Sequence, residues 1–252
     1  MKNNALEVSI VIPTFNSEKT LDIPMKSISN MRKSFFKLKV LLLDSSSTDN
    51  TKKIFLSYGK ELDLIFKDIG KCSIGEARNY AIKSSKSDYL IFLDSDDALT
   101  KDRLNYDYKL IAKYPKLNFL YGDSMQINKN SFKDSYYCKS SKISDRYQFL
   151  NIPYNLSSTT ISRDFLIKKR IFFKTGKKGR LGEDWRFIND INNATKNYLY
   201  TPKLKVVINS RYDSHTQNHL KSDLNITKID FICNTFIKIR DKNKFFRSIF
   251  FS

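Results

Sequence analysis

An acidic segment, Asp94 to Asp97, directly follows an apolar run in the middle of the chain. Asp94 and Asp96 are two residues apart, so in an extended segment their side chains project to the same side. Two carboxylates in this arrangement can bind a hard divalent cation, and such a cation can bridge the oxygens of a diphosphate. The alternative is a loop that only caps the following helix, for which Asp97 or Thr100 would be sufficient.

The apolar run before these acids is one of several strand-like segments that alternate with helical segments in the first half of the chain. Val8 to Pro13, Lys39 to Leu43 and Tyr89 to Leu93 are predicted as strands. The alternation is typical of an α/β fold with a mostly parallel sheet covered by helices. Ligands of such sheets bind at the carboxyl ends of the strands, where Thr14, Asp44 and the acidic segment fall. We therefore expect three polar loops to meet in one crevice.

Helix starts are predicted at three places in this half. Ser47 can cap one helix, Ser73 and Glu76 form a capping-box pattern for a second, and Thr100 is expected to begin a third. The second half is less regular, with strand-like runs at 119–121 and 205–208, a helix near 163–169 and an acidic GEDW segment at 182–185.

The composition of the chain limits its domain size, the charge of its partners and its cellular location. A chain of 252 residues with 40% hydrophobic content can bury the core of one α/β domain with an appendage. The net charge of +19 favours an anionic partner, although a solvated lysine-rich surface would give the same value. Three widely spaced cysteines, no apolar stretch near the roughly 20 residues of a membrane span and no secretory signal pattern together predict a cytoplasmic protein.

Several segments, in order along the chain, resemble the motifs of the family-2 glycosyltransferases, which have the GT-A fold. They are VSIVIPTFN at 8–16, LLLDSSSTDNT at 41–51, IGEARNYAI at 74–82, YLIFLDSDD at 89–97, and SSTTISRDFLIKKRIFF at 157–173 followed by LGEDWRF at 181–187. The resemblance covers roughly residues 6–220. It predicts a GT-A domain over 1–220 and a basic, aromatic helical extension over 221–252.

This resemblance implies a role for the polar residues of the first half. The nucleotide of a sugar donor is expected to contact Pro13, Thr14, Asp44 and Arg78. Asp94 is expected near the ribose or the metal, and Asp96 is expected to bind Mn²⁺ or Mg²⁺. The physical chemistry agrees, because a carboxylate can accept hydrogen bonds from base and ribose and a metal ion can neutralise a departing diphosphate. From the sequence alone, Arg78 could also be a solvated arginine on a helix surface.

The same resemblance implies roles for residues of the second half of the chain, beginning with those expected to act on the sugar acceptor. Asp184 is expected to be the base that takes the proton from the attacking hydroxyl, with Glu183 beside it as a further candidate. The alternative is a helix start whose acids only favour the helix dipole. Trp185 could stack on a sugar or lie in the core. Arg211 is expected to contact the diphosphate and His215 to complete the metal shell, and a surface position for His215 is equally open.

One position departs from the family pattern. The family commonly carries two adjacent acids after the second strand, whereas this chain has Asp44 followed by Ser45. In relatives the second acid often contacts uracil. UDP therefore remains the expected nucleotide, and GDP or another nucleotide is also admitted.

The implied activity is inverting transfer of a sugar from a nucleotide-diphosphate donor to a saccharide or lipid-linked acceptor of a bacterial surface polysaccharide, such as an O-antigen, a capsule or a lipooligosaccharide. Two other classes remain open. A nucleotidyltransferase would need a glycine-rich phosphate loop, which IPTFNSEKT lacks. A non-enzymatic nucleic-acid binder would use the positive charge but would leave the acidic segment unexplained, so we expect no nucleic-acid partner.

The C-terminal tail at 238–252, KIRDKNKFFRSIFFS, mixes basic residues with six large apolar ones. This composition suits an anchor at an anionic membrane surface, because the charges meet headgroups and the aromatic rings bury in the acyl boundary. It would place the protein on the inner face of the plasma membrane. A helix packed on the domain and a disordered end are the alternatives.

We expect deletion of residues 238–252 to weaken binding to vesicles that contain anionic lipid. Transfer to a soluble acceptor analogue should be retained, because the predicted catalytic motifs all lie before residue 220. Co-sedimentation of full-length and truncated protein with such vesicles checks this, with neutral vesicles as the control. Equal binding of the two proteins would contradict the anchor hypothesis.

Overall fold

The computed structural model describes residues 6–31, 35–128, 136–138, 154–176 and 182–210. The strands in these ranges are β1 (Glu7–Thr14), β2 (Lys37–Asp44), β3 (Leu64–Asp68), β4 (Tyr89–Phe92), β5 (Ala98–Leu99), β6 (Phe119–Asn128), β7 (Tyr136–Cys138), β8 (Thr160–Ser162) and β9 (Tyr198–Ser210). The helices are α1 (Asp22–Ser29), α2 (Thr51–Ser57), α3 (Ile74–Ser84), α4 (Arg103–Lys113), α5 (Arg163–Lys168) and α6 (Glu183–Ala194). The helical extension predicted over 221–252 lies outside the described residues, and the domain boundary at 220 stays a prediction.

All of these strands belong to one sheet, with the order β3-β2-β1-β4-β8-β6-β9-β5 and with β7 paired to β6. The four strands from β3 to β4 are parallel, so their carboxyl ends share one edge. From β8 onward the sheet is mixed, because β8 runs antiparallel to both β4 and β6 while β6 and β9 are parallel. The predicted α/β class is confirmed, and the antiparallel pairs of the second half are an addition to it.

Helices cover both faces of the sheet. One face packs on α3, α5 and α6 through residues such as Phe92 and Phe187, and the other packs on α1, α2 and α4 through residues such as Met25 and Phe55. The central strand β1 is buried on both faces from Val8 to Thr14, as expected for a strand of a covered parallel sheet. Within the described ranges, no helix combines the length and the apolarity that a membrane span requires.

Of the predicted helix starts, one is confirmed and two are wrong. The capping box of Ser73 and Glu76 begins α3. Ser47 does not cap α2, which begins at Thr51, and Thr100 does not begin α4, which starts at Arg103. In both wrong cases the hydroxyl donates to a partner elsewhere: Ser47 to the carboxylate of Asp44, and Thr100 to the carbonyl of Leu204.

A buried ionic cluster joins α4 to β9 and to the start of β8. Asp107 accepts hydrogen bonds from Lys205 Nζ at 2.5 Å and from Thr160 Oγ1 at 2.6 Å, and Arg103 Nε lies 3.5 Å from the same carboxylate. The three charged side chains are at most 1% exposed. Burial lowers the pKa of Lys205 to about 8, which Arg103 assists and Asp107 opposes. One carboxylate therefore compensates two buried cations.

We expect Asp107→Asn to lower the free energy of unfolding by about 3–5 kcal/mol, because it leaves buried charges without their partner. Urea denaturation checks this. Asp164→Asn is the matched control, since Asp164 pairs with Lys168 on the surface of α5 and such exposed pairs contribute about 0–1 kcal/mol. A loss for Asp107→Asn no larger than that of the control would contradict the role of the cluster.

Candidate active site

Thr14 and Asp44 lie side by side where β1 and β2 end, as the register of these parallel strands requires. Asp44 is 3% exposed. Its carboxylate accepts hydrogen bonds from Thr14 Oγ1 at 2.9 Å, from Ser47 N at 2.7 Å and from Ser47 Oγ at 2.6 Å. Two oxygens offer about four acceptor positions. Most of the capacity of Asp44 is therefore used to hold the two strand-end loops together.

The loops after β1 and β2 are also joined by reciprocal hydrogen bonds through Asn16. Its backbone amide donates to Ser47 Oγ at 2.8 Å, and its side-chain oxygen accepts from the backbone amide of Thr48 at 2.9 Å. Asn16 has φ 48°, in the left-handed region that asparagine tolerates better than most residues. The wall of the crevice is thus fixed by polar contacts before any ligand is present.

Phe15 lies in the same loop, and its side chain is 59% exposed. An aromatic ring in this position can stack on a planar ligand group. The sequence interpretation did not include Phe15 among the site residues. The available signal was an aromatic residue between the threonine and the asparagine of a polar loop that follows a buried strand.

The guanidinium of Arg78 lies at the centre of the candidate site. Arg78 is on α3 and is 2% exposed, which excludes a solvated surface arginine. Its Nη2 donates to Asp94 Oδ1 at 2.8 Å, while Nη1 donates to Asp184 Oδ1 and lies 3.7 Å from Glu183 Oε1. The residues predicted for the donor side and those predicted for the acceptor side therefore meet at one cation, although they are distant in the sequence.

The three carboxylates around Arg78 differ in environment. The side chains of Asp94 and Asp184 are 41% and 40% exposed, whereas that of Glu183 is 19% exposed. Burial, together with the nearby Asp184, raises the pKa of Glu183 to about 7, and Arg78 opposes the shift. Glu183 is therefore partly protonated near neutral pH, while Asp184 has the direct contact with the guanidinium.

A cluster of three aromatic rings supports this arrangement. Phe173 stacks on Phe187 with ring centroids 3.8 Å apart, and Phe92 packs edge-on against both rings. Phe92 lies on β4 two residues before Asp94, and Phe187 lies on α6 one turn after the two acids at its start. The cluster thus connects the strand that carries the donor-side acid to the helix that carries the acceptor-side acids.

Asp94 and Asp96 are both half-exposed at the end of β4. Two carboxylates are a suitable oxygen set for Mn²⁺ or Mg²⁺, because Mg²⁺ is commonly held by one or two carboxylates plus phosphate oxygens. The described residues contain no group of three or more His, Cys, Asp or Glu side chains that could hold a metal ion. Asp97 has another role, since it is buried and accepts a hydrogen bond from the backbone amide of Asn209 on β9 at 3.0 Å.

Ser45, which replaces the second acid of the family pattern, closes a neighbouring loop. Its hydroxyl accepts from the backbone amide of Cys72 at 2.9 Å and lies 3.1 Å from the Cys72 carbonyl and 3.2 Å from that of Gly70. Pro13 is buried at the end of β1, and Trp185 is half-buried on α6. The predicted contacts of Arg211 and His215 lie outside the described residues.

The sequence profile of the family described as "Glycosyl transferase family 2" matches residues 9–172. The chain belongs to this family. One curated member of similar sequence is the UDP-Glc:alpha-D-GlcNAc-diphosphoundecaprenol beta-1,3-glucosyltransferase WfgD of Escherichia coli, 30% identical over 125 residues, which are 49% of this chain and 48% of WfgD. Another is the poly(ribitol-phosphate) beta-N-acetylglucosaminyltransferase TarS of Staphylococcus aureus, 27% identical over 212 residues, which are 82% of this chain and 35% of TarS. The chain thus spans about half or less of the length of these relatives.

Solved structures of similar fold agree with the family assignment. Residues 1–349 of S. aureus TarS, crystallised in complex with UDP-GlcNAc, superpose with a TM-score of 0.70 at 21% identity, covering 84% of this chain and 60% of that one. The mannosyltransferase PcManGT of Pyrobaculum calidifontis, in complex with GDP-Man and Mn²⁺, gives a TM-score of 0.64 at 15% identity, covering 94% and 66%. The predicted GT-A fold of this family-2 member is confirmed.

We expect Glu183→Gln to stabilise the ligand-free protein in a pH-dependent way. Because the pKa of Glu183 is raised from 4.5 to about 7, its contribution to stability is fully present below pH 4.5 and is lost as pH rises through 7. The glutamine variant should therefore gain free energy of unfolding relative to wild type between these pH values, by up to roughly 3 kcal/mol. Urea denaturation at pH 4.5 and pH 8, without metal, measures this.

Glu76→Gln is the control with the opposite sign. The backbone amide and the hydroxyl of Ser73 lower the pKa of Glu76, so its carboxylate contributes stability that is present above pH 4.5 and is lost as pH falls through the lowered pKa. This variant should not gain stability at pH 8. A constant difference between Glu183→Gln and wild type at the two pH values would contradict the raised pKa.

Proposed function

We propose that this family-2 member transfers a sugar, with inversion, from a nucleotide-diphosphate sugar to a hydroxyl of a saccharide or lipid-linked acceptor in the synthesis of a bacterial surface polysaccharide. The observation that carries the proposal is the contact of one buried arginine with Asp94 on the donor side and with Asp184 on the acceptor side. The acceptors of WfgD and TarS, a diphosphoundecaprenol-linked sugar and poly(ribitol-phosphate), support the acceptor class.

The donor nucleotide is proposed to lie at the ends of β1 and β2. Thr14 and Asp44 form the polar floor of this position, and the exposed ring of Phe15 offers a surface on which a base can stack. UDP is the preferred nucleotide, because TarS was crystallised with UDP-GlcNAc. GDP stays a second candidate because Ser45 replaces an acid here and because PcManGT was solved with GDP-Man.

A divalent cation, Mn²⁺ or Mg²⁺, is proposed to be held by Asp94 and Asp96, with His215 as a further ligand. Such an ion neutralises the charge of a departing diphosphate as a Lewis acid. Arg78 can contribute through its contact with Asp94, because it fixes one oxygen of that carboxylate at 2.8 Å while the side chain stays 41% exposed. Arg211 is proposed to contact the diphosphate.

Asp184 is the proposed general base. The acceptor oxygen attacks the anomeric carbon, the bond from that carbon to the diphosphate oxygen breaks, and the hydroxyl proton moves to a carboxylate oxygen of Asp184. Burial raises the pKa of Asp184, which strengthens this carboxylate as a base, and the contact with Arg78, which favours the ionised form, opposes the shift. Glu183 is the weaker candidate, because its Oε1 lies 3.7 Å from Arg78 Nη1 and its side chain is less exposed than that of Asp184. We propose a cytoplasmic site of action at the inner face of the membrane, with the tail at 238–252 as the anchor.

A screen of UDP- and GDP-sugars with Mn²⁺ tests the function, because a ligand that binds the folded state raises the melting temperature. We expect Asp96→Ala to lose this metal-dependent stabilisation. Asp184→Asn should keep donor binding but lower the single-turnover transfer rate by about 10²–10⁴, the usual effect of removing a general base.

Asp190→Asn is the matched control, since Asp190 lies on the same helix and forms an exposed ion pair with Lys174 at 3.8 Å. It should transfer at the wild-type rate. If none of the nucleotide sugars raises the melting temperature, the proposed function is overturned. Normal transfer by Asp184→Asn would move the base to Glu183, and loss of donor binding by that variant would place Asp184 on the donor side.

A further inference from the structure

We infer that Asn79 is a positioning residue for the transfer reaction, and that it acts by clamping the backbone of Phe173 and thereby setting the place of the acids on α6. This inference rests on the proposed function. Asn79 is adjacent to Arg78 on α3. Arg78 contacts the acids of α6 directly, whereas Asn79 acts on the same helix through a different segment of the chain.

Asn79 makes two reciprocal hydrogen bonds with one residue. Its Nδ2 donates to the carbonyl of Phe173 at 2.8 Å, and its Oδ1 accepts from the backbone amide of Phe173 at 2.8 Å. A side-chain amide carries a donor and an acceptor side by side, so it can pair with the N–H and the C=O of a single residue. Phe173 is buried and lies outside any helix or strand, so Asn79 supplies the partners that a neighbouring strand would otherwise give it.

The segment around Phe173 lies directly on α3. A Cβ atom at Gly75 would be 3.3 Å from the carbonyl oxygen of Lys174 and 3.4 Å from the Cβ of Phe173. Gly75 and Asn79 are four residues apart, so they are on the same side of the helix. Glycine thus permits the close approach, and the amide of Asn79 fixes the position of the segment on the helix.

The ring of Phe173 packs directly on α6, so the position of Phe173 affects the position of that helix. The ring of Phe173 stacks on Phe187 with an interplanar angle of 11°, and the Arg78 guanidinium carbon is 5.2 Å from the centre of the same ring. Phe187 is three residues after Asp184, which places the ring and the proposed base on the same side of α6. If the backbone of Phe173 shifts, the base shifts relative to the donor-side acid.

The alternative is that Asn79 only stabilises the fold. A positioning residue and a stabilising residue differ in a double-mutant cycle, because residues that act through one another have non-additive effects. If Asn79 acts by placing the carboxylate of Asp184, its removal can have little further effect once that carboxylate is gone.

The experiment therefore measures single-turnover transfer and donor affinity for Asn79→Ala, Asp184→Asn and the double variant. We expect Asn79→Ala to lower the transfer rate by about tenfold or more, since misplacement of a reacting group by about 1 Å can cost 10²-fold, with donor affinity unchanged. In the Asp184→Asn background the same change should lower the rate by less than about twofold. Independent effects would instead give the same loss of rate in both backgrounds.

Asn118→Ala is the matched control. Asn118 is also half-buried and also uses its Nδ2 in a side-chain hydrogen bond, to Thr195 Oγ1 at 2.6 Å, at the start of β6 away from the acidic groups. This variant should transfer at the wild-type rate. An equal loss of rate for the two alanine variants, or additive effects of Asn79→Ala and Asp184→Asn, would overturn the inference in favour of a purely structural role.

Amide hydrogen exchange gives a second readout that needs no activity. We expect Asn79→Ala to accelerate exchange of the Phe173 amide and of the hydrogen-bonded amides of α6 from Arg186 onward, while the strands β1 and β2 keep wild-type protection. Wild-type exchange at Phe173 and α6 would overturn the inference. If exchange changes as expected but wild-type protein transfers no sugar, the clamp is present and the proposed function is the part that fails.

Discussion

The site depends on the burial of one positive charge. The guanidinium of Arg78 has almost no exposure, and an isolated charge in such a place would be very costly. The cost is offset because three carboxylates approach it from two distant parts of the chain. The α6 helix can therefore occupy only those positions in which its first turn reaches Arg78. A neutral replacement at residue 78 would leave three acids close together with no cation between them, which is less favourable than the loss of a surface ion pair.

The loops at the ends of β1 and β2 show a different way of fixing a site. They are held by side-chain to backbone hydrogen bonds, such as those of Asn16 and Ser47, and by the carboxylate of Asp44. These bonds satisfy loop amides that have no partner in a helix or a strand. The crevice wall is held by these polar contacts, and the exposed ring of Phe15 is available for a ligand.

The sequence predicted the parts of this protein that depend on local patterns. The apolar runs of β1, β2 and β4 and the capping box at Ser73 were visible because each signal lies within a few residues. The α/β alternation then placed Thr14, Asp44 and the acidic segment at one edge of the sheet. Strand β3 was missed because three of its five residues are exposed, which leaves no continuous apolar run. The predicted cap at Ser47 was wrong because its hydroxyl oxygen accepts a hydrogen bond from the backbone amide of Asn16 in the neighbouring loop instead of from a helix amide.

The contacts of Arg78 could not be predicted from spacing, because Asp184 is 106 residues away in the sequence. Only the resemblance to a family placed these residues in one site, and it assigned them to separate roles without indicating that they touch. The same holds for Asn79, whose partner is 94 residues away. Interactions of this kind are set by the way α3 and α6 pack on the sheet, which local sequence patterns do not encode.

The bond from Asp97 to Asn209 has a mechanical consequence. It joins the acidic segment to β9, next to the pairing of β5 with β9, and the sheet continues from there through β6 and β8 back to β4. Within the described residues, the strands that carry the two sides of the site are consequently parts of one hydrogen-bonded sheet. A hinge motion of two halves around a ligand, which many transferases use, would have to break this ladder. A closing movement over a substrate that leaves this ladder intact would therefore come from segments outside the sheet.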